Sequence, residues 1–215
     1  MTPPFDHLRY IAIEGVIGVG KTSLAHRLQE VMKARLFLEE FEENPFLEEF
    51  YRDPKRYAFQ TQLFFLLSRF RQQEQIVQYD LFQDQLIADY MFQKDRIFAT
   101  LTLNTKEFAL YNMLAKILEK RISKPDLVIY MRSSTDRLMA NIASRGRSYE
   151  KEMQRDYIEQ LNRLYDEYFW NYEDTPLLII NMEHLDFIRN DAHLKQIFVE
   201  IAKHRSGRKH VNLDI

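Results

Sequence analysis

Short apolar runs separated by long stretches of helical period set the rhythm of this chain. Tyr10 to Ile13, Leu36 to Leu38, Leu86 to Ala88, Leu127 to Met131 and Leu177 to Ile180 are apolar without alternation, which predicts strands buried on both faces of a parallel sheet. Between them the spacing changes. Met153, Tyr157, Leu161, Leu164, Tyr165 and Tyr168 fall on one face of a helix. Strands alternating with helices predict helices packed on both sides of a central parallel sheet. The stretch Pro54 to Arg71 opens on a proline, as helices often do, and carries Tyr57, Phe59, Leu63, Phe64, Phe65, Leu66, Leu67 and Phe70 nearly all round, so it reads as a deeply buried helix. The pattern contains no linker, repeat or low-complexity tract, so residues 1–215 read as one domain. The basic tail from Lys203 to His210 reads as a solvated terminus.

Composition narrows the partners. With 46% hydrophobic and 13% aromatic residues the chain is able to bury one sizeable core, and its net charge of −2 offers no basic field for nucleic acid or an anionic membrane. The absence of cysteine excludes disulfides, thiolate metal sites and a cysteine nucleophile, and it suits a reducing compartment. No signal peptide or spanning apolar run is visible, so a soluble cytoplasmic protein with a small ligand is expected.

The first predicted strand runs into Gly15-Val16-Ile17-Gly18-Val19-Gly20-Lys21-Thr22, the G-x-x-x-x-G-K-[ST] phosphate loop in its strand-to-helix setting. Three of the chain's five glycines fall here, where backbone N–H groups must turn inward around phosphate oxygens. In this reading Lys21 reaches the β- and γ-phosphates and Thr22 the magnesium ion. With Ser23, Arg145 and Arg147, these glycines, Lys21 and Thr22 form the candidate ATP-binding set. A GTPase would need D-x-x-G and N-K-x-D elements, and a motor ATPase a strand ending in Asp-Glu, all of which are missing.

Two acids follow predicted strands. Glu39 and Asp89 should therefore stand at the carboxyl edge of the sheet beside the phosphate loop. One acid there is suited to orient or accept the proton of an attacking hydroxyl, and the other to hold Mg²⁺. A helix N-cap is the plain structural alternative for Asp89, and a solvated acidic face for Glu39 with Glu40. On the predicted helix, Gln62 and Arg69 lie two turns apart and share a face with Phe65. A Gln amide both donates and accepts, which matches a nucleobase edge as well as an internal network. Further on, Arg145-Gly146-Arg147-Ser148-Tyr149-Glu150 interrupts two helical stretches, and its two arginines suit a lid that closes over phosphates and excludes water.

Four stretches, IAIEGVIGVGKTSLA, LEEFEENPFLEEFYRDPKRYAFQTQLFFLLSRFR, ADYMFQKDRIFA and SRGRSYE, resemble the deoxynucleoside kinases, especially the bacterial deoxyadenosine and deoxyguanosine kinases. The resemblance spans nearly the whole chain. It implies a doubly wound P-loop fold with a central parallel sheet of about five strands flanked by helices, an arginine-bearing lid, ATP with Mg²⁺, and a homodimer. It also implies that the acceptor is the 5′-hydroxyl of a deoxynucleoside, purine favoured. Glu39 then meets that hydroxyl, Asp89 stands for the acid of the family's Glu/Asp-Arg-Ser motif, and Lys21 and Arg145 complete the catalytic set. Gln62 reads the base, Arg69 pairs with Asp95, Phe98 stacks, and Tyr51 and Glu150 grip the 3′-hydroxyl. The sequence departs from the family at Glu40, where a proline is usual, and at Tyr90, where relatives have an arginine that touches phosphate. Lys94 or Arg96 is left to supply that cation, or to be a surface charge. A kinase for another small metabolite, such as a nucleoside monophosphate, and a non-catalytic ATP-binding module are the alternatives.

Overall fold

The computed structural model describes residues 5–40, 43–80, 85–147, 150 and 153–213, with backbone alone for 77–80. The elements run β1 (Tyr10–Gly15), α1 (Lys21–Met32), β2 (Arg35–Phe37), α2 (Leu47–Arg52), α3 (Pro54–Asp80), β3 (Leu86–Ala88), α4 (Lys94–Thr102), α5 (Thr105–Glu119), β4 (Leu127–Arg132), α6 (Thr135–Arg145), α7 (Arg155–Trp170), β5 (Leu177–Asn181), α8 (Asp191–Lys203) and β6 (Arg208–Val211). All strand pairs are parallel, in the order β2-β3-β1-β4-β5-β6. The five apolar runs are five of these strands. Their side chains fill both faces: Ile11, Ala12, Ile13, Ile87, Ala88 and Val128 are fully buried, as strands covered by helices on both sides must be.

The register places the functional edge. Ala12 lies opposite Ala88 and Val128, and β1 ends at Gly15 opposite Met131. The segments leaving β1, β2 and β3 therefore emerge side by side, and they carry the phosphate loop, Glu39 and Asp89. This is the crevice at the carboxyl ends of strands, on either side of the point where strand order reverses.

Two expectations are corrected. Arg208–Val211, inside and just past the supposed solvated tail, forms the sixth strand, paired with β5 from Leu177↔Arg208 to Ile180↔Val211. An edge strand needs only one covered face, and Val211 packs there while Arg208 and His210 point to water. The second correction concerns α3. Most of its large apolar residues are not its buried ones: Phe59, Leu63, Phe64, Phe65 and Phe70 are half-buried and Leu67 is exposed. The face turned fully inward carries Ala58, Thr61, Gln62, Leu66, Arg69, Gln72, Gln73 and Ile76. Polar groups occupy the inside because their partners are there, Thr61 on the Phe46 carbonyl, Gln72 on the Leu38 carbonyl, Gln73 on the Tyr10 hydroxyl and Arg69 on Glu39.

Among the described residues no helix is long and apolar enough to cross a membrane.

Candidate active site

The phosphate loop joins β1 to α1, and its glycines are required by geometry. Gly18 has φ 87°, and a Cβ there would lie 2.9 Å from the Leu138 carbonyl oxygen and 2.8 Å from Ile142 Cγ1 on α6. The loop can therefore pass under α6 only as glycine. Lys21 folds back over the loop, its Nζ donating to the carbonyls of Gly15 at 2.7 Å and Val16 at 3.3 Å. Burial and the neighbouring charge of Lys94 bring its ammonium down to about 8, against the pull of Glu14, Glu39 and Asp89.

Asp89 locks three segments together. Its Oδ2 accepts from the Thr22 hydroxyl at 2.5 Å and its Oδ1 from the Glu39 N–H at 2.8 Å, so the exit of β3 is tied to the first turn of α1 and to the segment after β2. An N-cap role is excluded, because α4 begins only at Lys94 and Gln93 stands before it. Thr22 and Asp89 present hard oxygen donors side by side. That set fits Mg²⁺, which takes one or two protein oxygens and leaves its remaining positions to phosphate and water. Among the described residues no group of three or more His, Cys, Asp or Glu side chains is placed to hold a metal ion.

Glu39 is no solvated acid. Arg69 donates to its Oε1 and Lys94 to its Oε2, the latter at 2.5 Å. Burial alone would push this carboxyl up, yet the two cations outweigh it and hold Glu39 far below the usual carboxylate range. Arg69 also pairs with Asp95 on α4, as the resemblance implies, and lies 5.0 Å over the Phe65 ring. The pairings Glu39–Arg69–Asp95 and Glu39–Lys94 fasten the β2 exit, α3 and α4 into one wall.

Tyr90 cannot stand in for an arginine. It is fully buried in the sheet core, and its hydroxyl has no hydrogen-bond partner among the described residues. Lys94 is one of the cations of the cleft: its side chain is 5% exposed, so it is no surface charge. Arg96, by contrast, is exposed and lines a different hollow with Glu167 and Asp174.

These walls enclose two clefts that share the phosphate loop. One, of about 800 Å³, is lined by Glu39, Tyr51, Gln62, Phe65, Arg69, Asp89, Lys94, Phe98 and Glu150, with Leu47, Phe50, Thr61 and Tyr157 as its apolar and hydroxyl rim. All the substrate-side candidates of the sequence line this cleft except Asp95, which lies behind Arg69. Gln62 is 2% exposed, and its Oε1 has no partner among the described residues. Phe98 packs edge-on to Tyr165 at 6.2 Å, and Tyr51 leans on Phe50 at 5.4 Å. The other cleft, about 1520 Å³, is lined by Gly18, Gly20, Lys21, Thr22, Ser23, Arg137, Asn141 and the segment Met182 to Arg189. Gly18, Lys21, Thr22, Arg145 and Arg147 belong to both.

The lid arginines stand at this junction. α6 stops at Gly146 with φ 68°, a left-handed C-cap whose N–H donates to Ile142 O, and this places Arg145 and Arg147 over the loop. Both pair with Glu150, Arg145 by hydrogen bonds and Arg147 at 3.7 Å. Glu150, expected at the sugar, is thus engaged with the arginines. Ser148 and Tyr149 of the lid lie outside the described residues.

Sequence reasoning missed Glu14 and the wall of the second cleft. Glu14, fully buried, accepts from Gly15 N–H at 3.0 Å, Met91 N–H at 2.8 Å and the Tyr165 hydroxyl at 3.3 Å. Burial raises its pKa against Lys94 and Lys21. A charge inside an otherwise apolar strand was its signal. In the second cleft Arg137 donates to the carbonyls of Glu183 and, at 2.6 Å, Leu185, stitching α6 to the segment after β5. No local motif marks that contact.

The family model for deoxynucleoside kinase matches residues 11–205. The chain is 34% identical over 199 residues to the deoxyguanosine kinase of Bacillus subtilis (strain 168), covering 90% of this chain and 96% of that one. It is 35% identical over 179 residues to the deoxyadenosine kinase of Dictyostelium discoideum, covering 80% and 71%. Among solved structures, deoxyadenosine kinase from M. mycoides with bound dCTP superposes with a TM-score of 0.76 at 28% identity, covering 89% of this chain and 98% of that one. A match over nearly the whole length, on a phosphate loop flanked by two clefts, shows that the chain belongs to the deoxynucleoside kinase family, enzymes that phosphorylate deoxynucleosides.

Proposed function

We propose that this enzyme transfers the γ-phosphate of ATP to the 5′-hydroxyl of a purine deoxynucleoside, the nucleoside occupying the smaller cleft and ATP the larger. The observation that carries the assignment is the junction: Lys21, Thr22 and the two lid arginines line both clefts, so one phosphoryl group reaches between them. The purine preference is supported by the relatives, which include deoxyguanosine and deoxyadenosine kinases.

In this reading the 5′-oxygen bonds to the γ-phosphorus, the bond from phosphorus to the β-phosphate oxygen breaks, and its electron pair leaves with ADP. The hydroxyl proton goes to Glu39. Such transfers have loose transition states, so Glu39 chiefly orients the hydroxyl and takes its proton as the new bond forms. Lys21 holds the β- and γ-oxygens, and Arg145 and Arg147 exchange part of their pairing with Glu150 for phosphate. That exchange frees Glu150 to join Tyr51 at the 3′-hydroxyl. Thr22 and Asp89 would hold Mg²⁺, whose contribution when bound is to neutralise phosphate charge.

Gln62 reads the base with its unsatisfied carbonyl oxygen and its amide. Phe65 and Phe98 supply apolar surface for the ring. We also propose that the enzyme works as a homodimer in the cytoplasm, in nucleoside salvage. On α5 the exposed side chains Leu110, Met113 and Ile117 recur at helical spacing, a face suited to a second copy. The chain's lack of cysteine suits a reducing compartment.

The test is a coupled assay of ADP release with ATP, Mg²⁺ and each of the four common deoxynucleosides, with the product identified by phosphorus NMR. Turnover of purine deoxynucleosides to 5′-monophosphates is expected. Turnover only with nucleoside monophosphates would reassign the acceptor. Light scattering of the purified protein reads the dimer, and a monomeric mass at working concentration would refute it.

A further inference from the structure

Among the described residues the acceptor cleft brings together five cations, and their commitments differ. Arg69 is held between Glu39 and Asp95, and Arg145 and Arg147 share Glu150. Lys21 bonds two backbone carbonyls. Lys94 is buried on the first turn of α4 and among the described residues gives one hydrogen bond, to Glu39, from an ammonium that carries three donors. It shares the cleft wall with Lys21, Thr22 and Asp89. Lys21 and Lys94 line the same cleft, so an anion seated between them meets two ammonium groups.

Glu39 presents a chemical difficulty that the same residue resolves. A carboxylate clasped by two cations is a weak base, yet it must take the proton of the hydroxyl as the phosphoryl group transfers. Arg69 is fixed by Asp95 and cannot leave. Among the described residues Lys94 has no second acid as a hydrogen-bond partner, and its four-carbon stem lets the ammonium turn while α4 stays in place.

We propose that Lys94 is a catalytic residue that passes from Glu39 to the transferring phosphoryl oxygens, coupling the arrival of the proton on Glu39 to the neutralisation of charge on the phosphate. In the ground state Lys94 keeps Glu39 ionised and in place. As the hydroxyl proton moves to Glu39, the attraction that held the ammonium falls and the charge on the equatorial oxygens draws it away. Lys94 keeps all its protons throughout, so the step balances with the single proton that passes from the hydroxyl to Glu39. The inference rests on the assignment of the smaller cleft to the acceptor.

Three variants test it. Lys94→Gln retains a hydrogen-bond donor to Glu39 without charge, Lys94→Met removes both, and Lys94→Arg keeps the charge. With ATP and the preferred deoxynucleoside, kcat of Lys94→Gln and Lys94→Met is expected to fall by about 100-fold or more, the size of losing one donor to developing charge. Dissociation constants for the nucleoside and for ATP, measured by calorimetry, should stay within threefold. Lys94→Arg should recover at least tenfold of the kcat lost in Lys94→Gln. A structural role would instead be met by Gln, and a kcat for Lys94→Gln within threefold of wild type overturns the proposal. So does a loss that appears equally in nucleoside affinity. If Lys94→Met fails to fold, Lys94→Gln alone decides. Wild-type turnover in the same series separates the two ideas: an inactive wild type removes the acceptor assignment, whereas an active wild type beside an active Lys94→Gln removes only the role of Lys94.

Discussion

The two clefts on either side of the phosphate loop are built by different means. The larger is shaped by backbone: the glycine turns, the α6 N-terminal region and the Met182 to Arg189 segment, braced by Arg137 on two carbonyls and by Glu183 on Ser133 and Ser134. The smaller is shaped by side chains, with Glu39, Arg69, Asp95 and Lys94 interlocked and nearly sealed from water. Backbone donors recognise any triphosphate tail, because phosphate oxygens are alike in every nucleotide. A wall of buried side chains with fixed partners discriminates, because each unmatched group left in it costs about 1–3 kcal/mol. In the proposed assignment general recognition therefore belongs on the donor side and selectivity on the acceptor side.

The sharpest way to break this division is at the junction. Lys21→Ala removes the point charge between the clefts without changing the core, and kcat should fall by about 1,000-fold or more while the melting temperature stays within a few degrees. Retained turnover, read in the coupled assay, would remove the phosphate loop from the reaction. Asp89→Asn keeps the shape of the triple tie and loses its charge, so kcat should fall about 100-fold with nucleoside affinity nearly unchanged. A loss in affinity alone would move Asp89 to the acceptor wall. The pH profile separates the sides again. Lys21 must carry its proton to hold phosphate, and its pKa is lowered to about 8, so kcat/KM for ATP should be flat below that pH and drop tenfold per unit above it. Lys21→Arg should carry that limb beyond pH 10, since a guanidinium does not titrate there. On the acceptor side, a 2′,3′-dideoxynucleoside should lose about tenfold in kcat/KM against its deoxy form, ~1.4 kcal/mol, with no change in KM for ATP. Equal values would take Tyr51 and Glu150 away from the sugar.

The same division governs what the sequence discloses. The phosphate loop is written in consecutive residues, because one turn must satisfy its geometry, and the four inner strands are legible because burial on both faces leaves unbroken apolar runs, while Leu36 and Phe37 mark the edge strand β2. Position at strand ends was enough to set Glu39 and Asp89 beside the loop. The partners were not legible. Whether Lys94 faces Glu39 or water depends on how α4 is rotated against α3, a tertiary fact without local signature. Helix α3 misled for a related reason: over Pro54 to Arg71 its apolar residues outnumber its polar ones, and only packing decides which stripe turns inward. β6 was hidden by its basic residues, since an edge strand needs one apolar contact and Val211 supplies it. Glu14 stood in plain view as a charge within an apolar strand.

The most direct test of selectivity by the side-chain wall is the kcat/KM ranking across the four deoxynucleosides in wild type and in Gln62→Ala. Gln62 is buried, faces the smaller cleft and keeps one oxygen unsatisfied. The account predicts that purines lead in the wild type, that the variant compresses the ranking by about fivefold to tenfold, and that kcat/KM for ATP does not move. A ranking unchanged by the substitution, or a loss that falls on ATP instead, would contradict it.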